Sequence, residues 1–187
     1  MPKSKSRVKK NGKRPERKVK IVLPANFMPD HEREFLYNLF ERVNLFAEVT
    51  LPMGRCTYKH ATAIRDVINA CVWSLTYLSG NGLLADGWLD EQYPFVKELQ
   101  NKFQTFYSRG NAKGGMKDRS VRYVATGDEL RAIRDGLIVA NDGVCLEMIK
   151  TRPIIFKRLF LGMKEFLLKD DRTEFEGDDL ANAIKRI

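Results

Sequence analysis

Charge is divided unevenly along this chain, and that division limits which residues can join a folded core. Residues 1–20 hold ten basic side chains and one acidic one, so their net charge of +9 equals that of the whole protein. Residues 21–187 hold 23 basic and 23 acidic side chains and balance to zero. After Met1, the first twenty residues offer only Val8 and Val19 as apolar side chains and no aromatic one. Such a segment buries too little apolar surface to offset its ordering entropy, so we expect a disordered basic arm.

The basic arm indicates a polyanionic partner. Lysine and arginine at this density bind phosphates through counterion release and do not read sequence. A solubility tail, a membrane-surface patch and a nuclear-import signal are alternatives. A membrane role is disfavoured because the arm has no Trp, Phe or Leu to insert. We therefore expect contact with nucleic acid or a nucleic-acid-bound complex through Lys3, Lys5, Arg7, Lys9, Lys10, Lys13, Arg14, Arg17, Lys18 and Lys20.

Residues 21–187 have the length of one domain. Their three cysteines, Cys56, Cys71 and Cys145, are odd in number and widely spaced, which is typical of buried thiols in a reducing compartment. No apolar run reaches the roughly 20 residues that a membrane span needs. No apolar segment of a signal peptide follows the basic start. We expect a cytoplasmic protein without membrane attachment.

Apolar residues recur every three or four positions through most of residues 21–187, which predicts helices. Alternation with a period of two never lasts beyond a few residues, so strands are not expected. The fold class is therefore all-α, a compact bundle of five or six helices preceded by the arm. The predicted helices cover 31–49 and 58–78, with further ones starting near Pro94, after Thr126, at Pro153 and at Asp178.

Local signals mark several helix ends. Asp30 suits an N-cap, and Thr126 with Glu129 matches a capping box. Pro153 suits the first position of a helix. The second half of the 58–78 helix is apolar nearly all round, which is typical of a central buried helix. The run 141–143, Asn-Asp-Gly, either breaks or only strains the helix after Thr126, and we favour continuity.

A second basic cluster lies in a predicted polar loop over residues 108–122, which contains three glycines. Glycines beside cations, with Tyr107 and Tyr123 at the edges, suit a single-stranded or backbone-tracking nucleic-acid contact. A solvated, mobile loop is the alternative. A phosphate-binding P-loop is excluded because Met116 follows Gly115 where that motif requires Lys and then Ser or Thr. The candidate residues of the loop are Arg109, Lys113, Lys117, Arg119 and Arg122.

Catalytic and metal-binding patterns are sparse. Cys56 and His60 stand four residues apart, but His31 is the only other histidine and no second pair completes a ligand set. A capping or packing role is therefore the favoured interpretation of His60. The acidic segment 170–179 suits a solvated turn or a docking site for the arm more than hydrolytic metal chemistry. We expect no enzyme activity, no metal and no cofactor.

The segment 123–135, Tyr-Val-Ala-Thr-Gly-Asp-Glu-Leu-Arg-Ala-Ile-Arg-Asp, running on to Glu147, resembles a helix of small uncharacterised bacteriophage and prophage accessory proteins. Those proteins similarly combine a Lys/Arg-rich start with a T-G/A-x-E-L-x-A-I/L-R capping motif and an apolar helix. Residues 141–143 depart from their unbroken helix. The resemblance implies expression in an infected bacterial cytoplasm and a role in modulating host or phage machinery. It implies no catalytic residues.

Two functions follow as hypotheses. The first is a non-enzymatic nucleic-acid-binding accessory protein with weak sequence preference. The alternative is a phage-type protein-interaction module that inhibits or modulates host or defence machinery. A single exposed patch larger than a few hundred Å² would favour the alternative. The aromatic residues beyond the expected needs of the core are Trp73, Trp88, Tyr93, Phe95 and Phe175.

Overall fold

A computed structural model describes residues 28–170 of this protein, with side chains to residue 167. Over this range the chain is helical, and its one strand-like feature is an isolated antiparallel bridge between Cys56 and Tyr123. The predicted all-α fold is thereby confirmed for this part of the chain. The basic arm, the acidic segment after residue 170 and the predicted helix from Asp178 lie outside the described residues.

Helices follow one another with short connections through the described part of the chain. Two π-helical segments extend them: Phe46–Thr50 continues α1, and Ile138–Leu146 joins α4 to α5. Counted through these segments, residues 28–170 form five continuous helices, within the predicted five or six. The α-helical bounds are α1 Asp30–Leu45, α2 Tyr58–Gly80, α3 Trp88–Ala112, α4 Gly127–Leu137, α5 Glu147–Thr151 and α6 Pro153–Asp170.

Helix α2 is the centre of the core, as its apolar circumference predicts. Ile64 and Cys71 are inaccessible to solvent and Val67 is nearly so, while Cys145 from the π segment donates its thiol toward the carbonyl of Val67. Trp73, predicted to exceed the needs of the core, is only 1% exposed and belongs to it. That prediction was wrong because Trp73 lies in the second half of α2, where neighbouring helices cover most of the helix surface.

Residues 141–143 do not break the chain into two helices, in agreement with the prediction. The backbone widens to a π-helix there, and the Asn141 side chain turns inward. Its Nδ2 donates to the carbonyl of Phe40 at 2.8 Å and to Oδ1 of Asn44 at 2.9 Å. The π-helical segment thus directs the Asn141 side chain toward α1.

Helix α3 is longer at both ends than the sequence pattern predicts. It begins at Trp88 and holds Pro94 inside its second turn, because Gly87 takes a left-handed φ of 77° and Asp90 and Glu91 supply acid to the first turn. It ends at Ala112, so residues 108–112 are helical and not part of a loop. Helix α1 also differs slightly, because Pro29 holds the N-cap position that was predicted for Asp30.

Candidate nucleic-acid interface

Tyr123 fixes the shape of the segment that follows α3. Its ring is buried between two glycines: a Cβ added at Gly110 or Gly115 would lie 2.0 or 2.5 Å from ring atoms. Its hydroxyl donates to the Asn111 side chain, and its backbone N–H donates to the carbonyl of Cys56 at 2.8 Å. The chain between Gly110 and Tyr123 therefore wraps around one aromatic ring, and these two glycines serve close packing.

The bridge between Cys56 and Tyr123 brings two basic segments together. Antiparallel pairing places Arg122 opposite Thr57, at the start of α2. Arg55 directly precedes the bridged Cys56 and Lys59 lies in the first turn of α2, so both follow the chain close to the point where the two segments meet. We call the exposed cations of these two segments the basic face, which comprises Arg55, Lys59, Lys113, Lys117, Arg119 and Arg122.

The cations of the basic face outnumber Asp118, the one acid of the loop. Among the described residues, none of the six makes an ion pair with a carboxylate. The one acid of the loop, Asp118, accepts a hydrogen bond from the backbone N–H of Ser120 at 2.8 Å. That bond, followed by the Ser120 side chain and the charge of Arg122, holds the pKa of Asp118 below its usual value. The basic face therefore keeps a local positive excess.

Arg122 also holds the loop together. Its Nη1 donates to the carbonyls of Arg119 and Ser120, each at 2.8 Å. A guanidinium carries five N–H donors, so three remain available to a ligand. The loop conformation is thus set by the loop's own hydrogen bonds and by the buried Tyr123.

His60 caps helix α2 beside the basic face. Its Nδ1 lies 3.2 Å from the backbone nitrogen of Thr57, which donates to it, and its ring packs on Phe46 with 4.7 Å between centroids. Burial, and then the charge of Arg122, lowers the pKa of His60. The predicted capping role is confirmed. Cys56 lies before the helix, and burial raises the pKa of its thiol to about 12.

Arg109 stands apart from the other cations of the predicted loop. It lies in the last turn of α3, and its guanidinium binds the Glu129 carboxylate through two hydrogen bonds, one of them 2.9 Å long. It also donates to the carbonyl of Val124 at 2.7 Å. Arg109 therefore links α3 to the start of α4. The sequence analysis had placed it in the loop instead.

Glu129 serves both this ion pair and the predicted capping box. Its carboxylate accepts the backbone N–H of Thr126 at 2.8 Å, and the Thr126 hydroxyl accepts the N–H of Glu129, so the capping box is confirmed. Burial opposes ionisation of Glu129. The hydrogen bonds from Arg109 and Thr126 outweigh it and keep the pKa of the carboxyl below its usual value.

The aromatic residues at the edges of the predicted loop do not face solvent. Tyr107 is 2% exposed and Tyr123 is fully buried, and both pack against the half-buried ring of Tyr58. Neither ring is presented to a ligand at the basic face. Four predicted residues, Lys113, Lys117, Arg119 and Arg122, do lie on that face. Sequence reasoning missed Arg55 and Lys59, because only the tertiary bridge at Cys56 places them there.

Within residues 28–170, no group of three or more His, Cys, Asp and Glu side chains is arranged to hold a metal ion. Over the same range, every helix is too short or too polar to cross a bilayer. Comparison with family models, curated proteins and solved structures found no match to this chain.

Proposed function

We propose that this protein is a non-enzymatic nucleic-acid-binding accessory protein, in which the basic arm of residues 1–20 and the basic face contact phosphates together. The observation that supports it is the gathering of six exposed cations without ion-pair partners from two separate segments. Residues 21–187 are neutral overall, so the positive excess of the basic face arises from the uneven distribution of charge over the domain and not from a basic composition. Such a footprint is typical of contact with phosphates.

The geometry favours phosphate contact with little sequence readout. The basic face presents side chains from a loop, from the segment just before α2 and from the first turn of α2. Lysine and arginine on such a surface set the position of the protein on the nucleic acid, whereas base-edge contacts carry specificity. We therefore propose weak sequence preference, as the charge of the arm also favours.

Charge reversal on the two joined segments tests this function. Lys59→Glu with Arg119→Glu changes one residue in each segment, and an acid in the first turn of α2 is compatible with the helix dipole. Affinity for nucleic acid should fall, and the slope of log K against log salt should flatten by roughly one unit per lost contact. Binding is measured by fluorescence anisotropy over a salt series.

The matched control reverses Lys97 and Arg158, which are exposed on α3 and α6. Lys97 precedes Lys113 by sixteen residues, about 24 Å along the helix. The control changes net charge by the same amount and should leave the salt slope nearly unchanged. Equal losses in the two double variants would show that net charge alone drives binding, and the basic face would lose its proposed role.

A protein-interaction module that modulates host or defence machinery is the second candidate, and one observation favours it. A cavity of about 210 Å³ opens between α1, α2 and α6, with the 42%-exposed Leu39 and the half-buried Phe160 at its mouth and Phe40 at its base. Leu39→Glu should abolish partner-dependent activity and leave nucleic-acid affinity unchanged if this candidate holds.

The aromatic patch predicted for the interaction module does not form among the described residues. Trp73 is buried and Trp88 is half-buried. Tyr93 and Phe95 are exposed, but they lie two positions apart on α3 and so point to opposite sides of the helix. Phe175 lies outside the described residues. The cavity beside Leu39, and not these aromatic residues, therefore supports the second candidate function.

A further inference from the structure

We infer that the cavity beside Leu39 binds an amphipathic helix of a partner protein, one with apolar side chains on one face and lysine or arginine along its edge. The inference goes beyond nucleic-acid binding. It rests on the second candidate function and names the kind of partner which that function requires. The observations behind it are the lining of the cavity, the apolar residues of α1 beside it and the unpaired acids of the same helix.

The cavity is large enough for one apolar side chain of a partner. Its volume is about 210 Å³, and its lining includes the buried side chains of Phe40, Val43 and Val67. An apolar cavity of about 150 Å³ already holds a benzene molecule, so a leucine or phenylalanine side chain fits here. A large side chain seated in such a pocket is the usual anchor of a protein interface.

Helix α1 and its π-helical extension carry a row of side chains along this opening. Residues 35, 39, 42 and 46 follow at spacings of four and three, so they lie on one face of the helix. Leu39, Arg42 and Phe46 line the cavity, and Phe35, one turn before Leu39, is 68% exposed. Apolar surface therefore continues along α1 beyond the cavity. A partner helix that packs its apolar face along such a surface contacts it over more than one turn.

The charges of α1 and its extension favour a basic partner. Residues 30–50 hold five acidic and two basic side chains, for a net charge of −3. Asp30 is paired with Arg33, and Glu32 with Lys157. The exposed charged side chains of this segment that make no ion pair with another described residue are Glu34, Glu41, Glu48 and Arg42. Three acids against one base leave a negative excess, which lysine or arginine on a bound helix complements.

A second copy of this chain is a poorer occupant than a basic helix. Pairing α1 of one copy with α1 of another would set two segments of net charge −3 side by side. Like charges placed together at an interface weaken it and disfavour that partner. We therefore expect a different protein to supply the helix.

The test measures binding of designed helical peptides to the full-length protein. The main probe is a peptide of leucine and lysine with its leucines on one face. A peptide of the same composition in scrambled order and a leucine–glutamate peptide with the same apolar face are the controls. The lysine peptide should bind more tightly than either control. Since the whole chain has net charge +9, general electrostatic attraction would favour the glutamate peptide instead.

A matched pair of leucine variants locates the binding site. Leu39→Gln should lower the affinity for the lysine peptide by about tenfold, as the loss of an apolar contact at the centre of an interface does. Leu89→Gln is the control, because Leu89 on α3 is 42% exposed, as Leu39 is. Its affinity for the peptide should equal that of the wild type.

A matched pair of acid variants tests the charge of the partner. Glu34→Gln with Glu41→Gln should slow association of the lysine peptide and reduce the dependence of its rate on salt. Glu91 and Glu98 are exposed on α3 with the same spacing of seven residues. Changing both of these to Gln alters net charge equally and should affect the peptide much less.

The outcomes separate this inference from the functions proposed above. Binding of none of the peptides, tighter binding of the glutamate peptide, or equal losses in the α1 and α3 variants would overturn it. A dimer of the wild type in sedimentation that Leu39→Gln dissociates would also overturn it, in favour of a second copy. The activity test with Leu39→Glu decides the second candidate function separately. Nucleic-acid affinity should be unchanged in Leu39→Gln, so the nucleic-acid function stands or falls on the basic face alone.

Discussion

Gly110 and the ring of Tyr123 are in direct contact, so close that a Cβ atom at position 110 would lie 2.0 Å from Cδ1 of the tyrosine. Gly115 approaches the same ring from the other end of the turn. The glycines that give this segment the look of a flexible loop therefore fix it against a buried side chain. The four loop cations of the basic face, Lys113, Lys117, Arg119 and Arg122, lie on the segment that this contact fixes.

Gly110→Ala should destabilise the protein by about 1–3 kcal/mol, because the added methyl group has to displace a buried ring. The loss should exceed the gain of up to about 1 kcal/mol that alanine brings to a helix interior. Chemical denaturation of the wild type and of each variant measures the net change in unfolding free energy. Gly80→Ala is the control, since a Cβ at the end of α2 meets no atom within 4 Å. Equal stability of the two variants would contradict the packing role of Gly110.

Arg109→Met should cost about 2 kcal/mol of unfolding free energy, because it strips Glu129 of two charged hydrogen bonds in a largely buried site. Adding Glu129→Met should recover part of the loss, since an unpaired buried charge is more harmful than an apolar pair. The salt slope for nucleic acid should not change in Arg109→Met. A flatter salt slope for Arg109→Met would instead show that Arg109 contacts phosphate.

The Arg109–Glu129 pair should also make stability depend on acid pH. The pKa of Glu129 is lowered in the folded protein, so its contribution is complete above the ordinary glutamate value of about 4.5 that holds in the unfolded chain, and is lost as pH falls through the lower folded value. Thermal melts of wild type and Glu129→Gln should therefore converge as the pH falls below that range. A constant difference between the two melting temperatures would exclude this linkage.

His60 should make stability depend on pH near neutrality. Its pKa is lowered in the folded protein, so its stabilising effect is full above about 6.5 and is lost as pH falls through the folded value. The protonated ring can no longer accept the Thr57 N–H. His60→Gln keeps a capping-box acceptor but does not titrate, so its melting temperature should fall less between pH 7.5 and 5.5. Identical pH profiles would rule out His60 as the titrating group.

Val67→Asp should unfold the protein or destabilise it severely, because it places a carboxylate without a partner in the central helix. The same change at Val49, which is 50% exposed, should have little effect. Circular dichroism with denaturant titration compares the two. Tolerance of aspartate at position 67 would contradict the central position of α2.

Deletion of residues 1–20 should leave the helical spectrum intact and remove most of the nucleic-acid affinity. If about five cations of the full-length protein engage at once, its salt slope should be about −4 to −5. Replacing the ten basic residues of the arm by Gln keeps its length and should reproduce the loss. Unchanged, salt-insensitive binding after the deletion would refute the role of the arm.

Signals within four residues of each other determined much of this fold. The capping box of Thr126 and Glu129, the start of α6 at Pro153 and the apolar circumference of α2 were all readable, because each depends on helix geometry alone. The ends of α3 could not be predicted from such local signals. Its start depends on the conformation of Gly87, and its last turn persists because Phe106, Tyr107 and Gly110 are packed in the core.

The charge of the arm, and the presence of a second basic segment near residues 113–122, were likewise plain in the sequence. The composition of the basic face was decided by tertiary structure. One backbone hydrogen bond between Tyr123 and Cys56 joins segments more than sixty residues apart and adds Arg55 and Lys59 to the loop cations. An ion pair with the buried carboxylate of Glu129 removes Arg109 from them. Sequence fixes charge and periodicity, whereas exposure and pairing depend on contacts between residues distant along the chain.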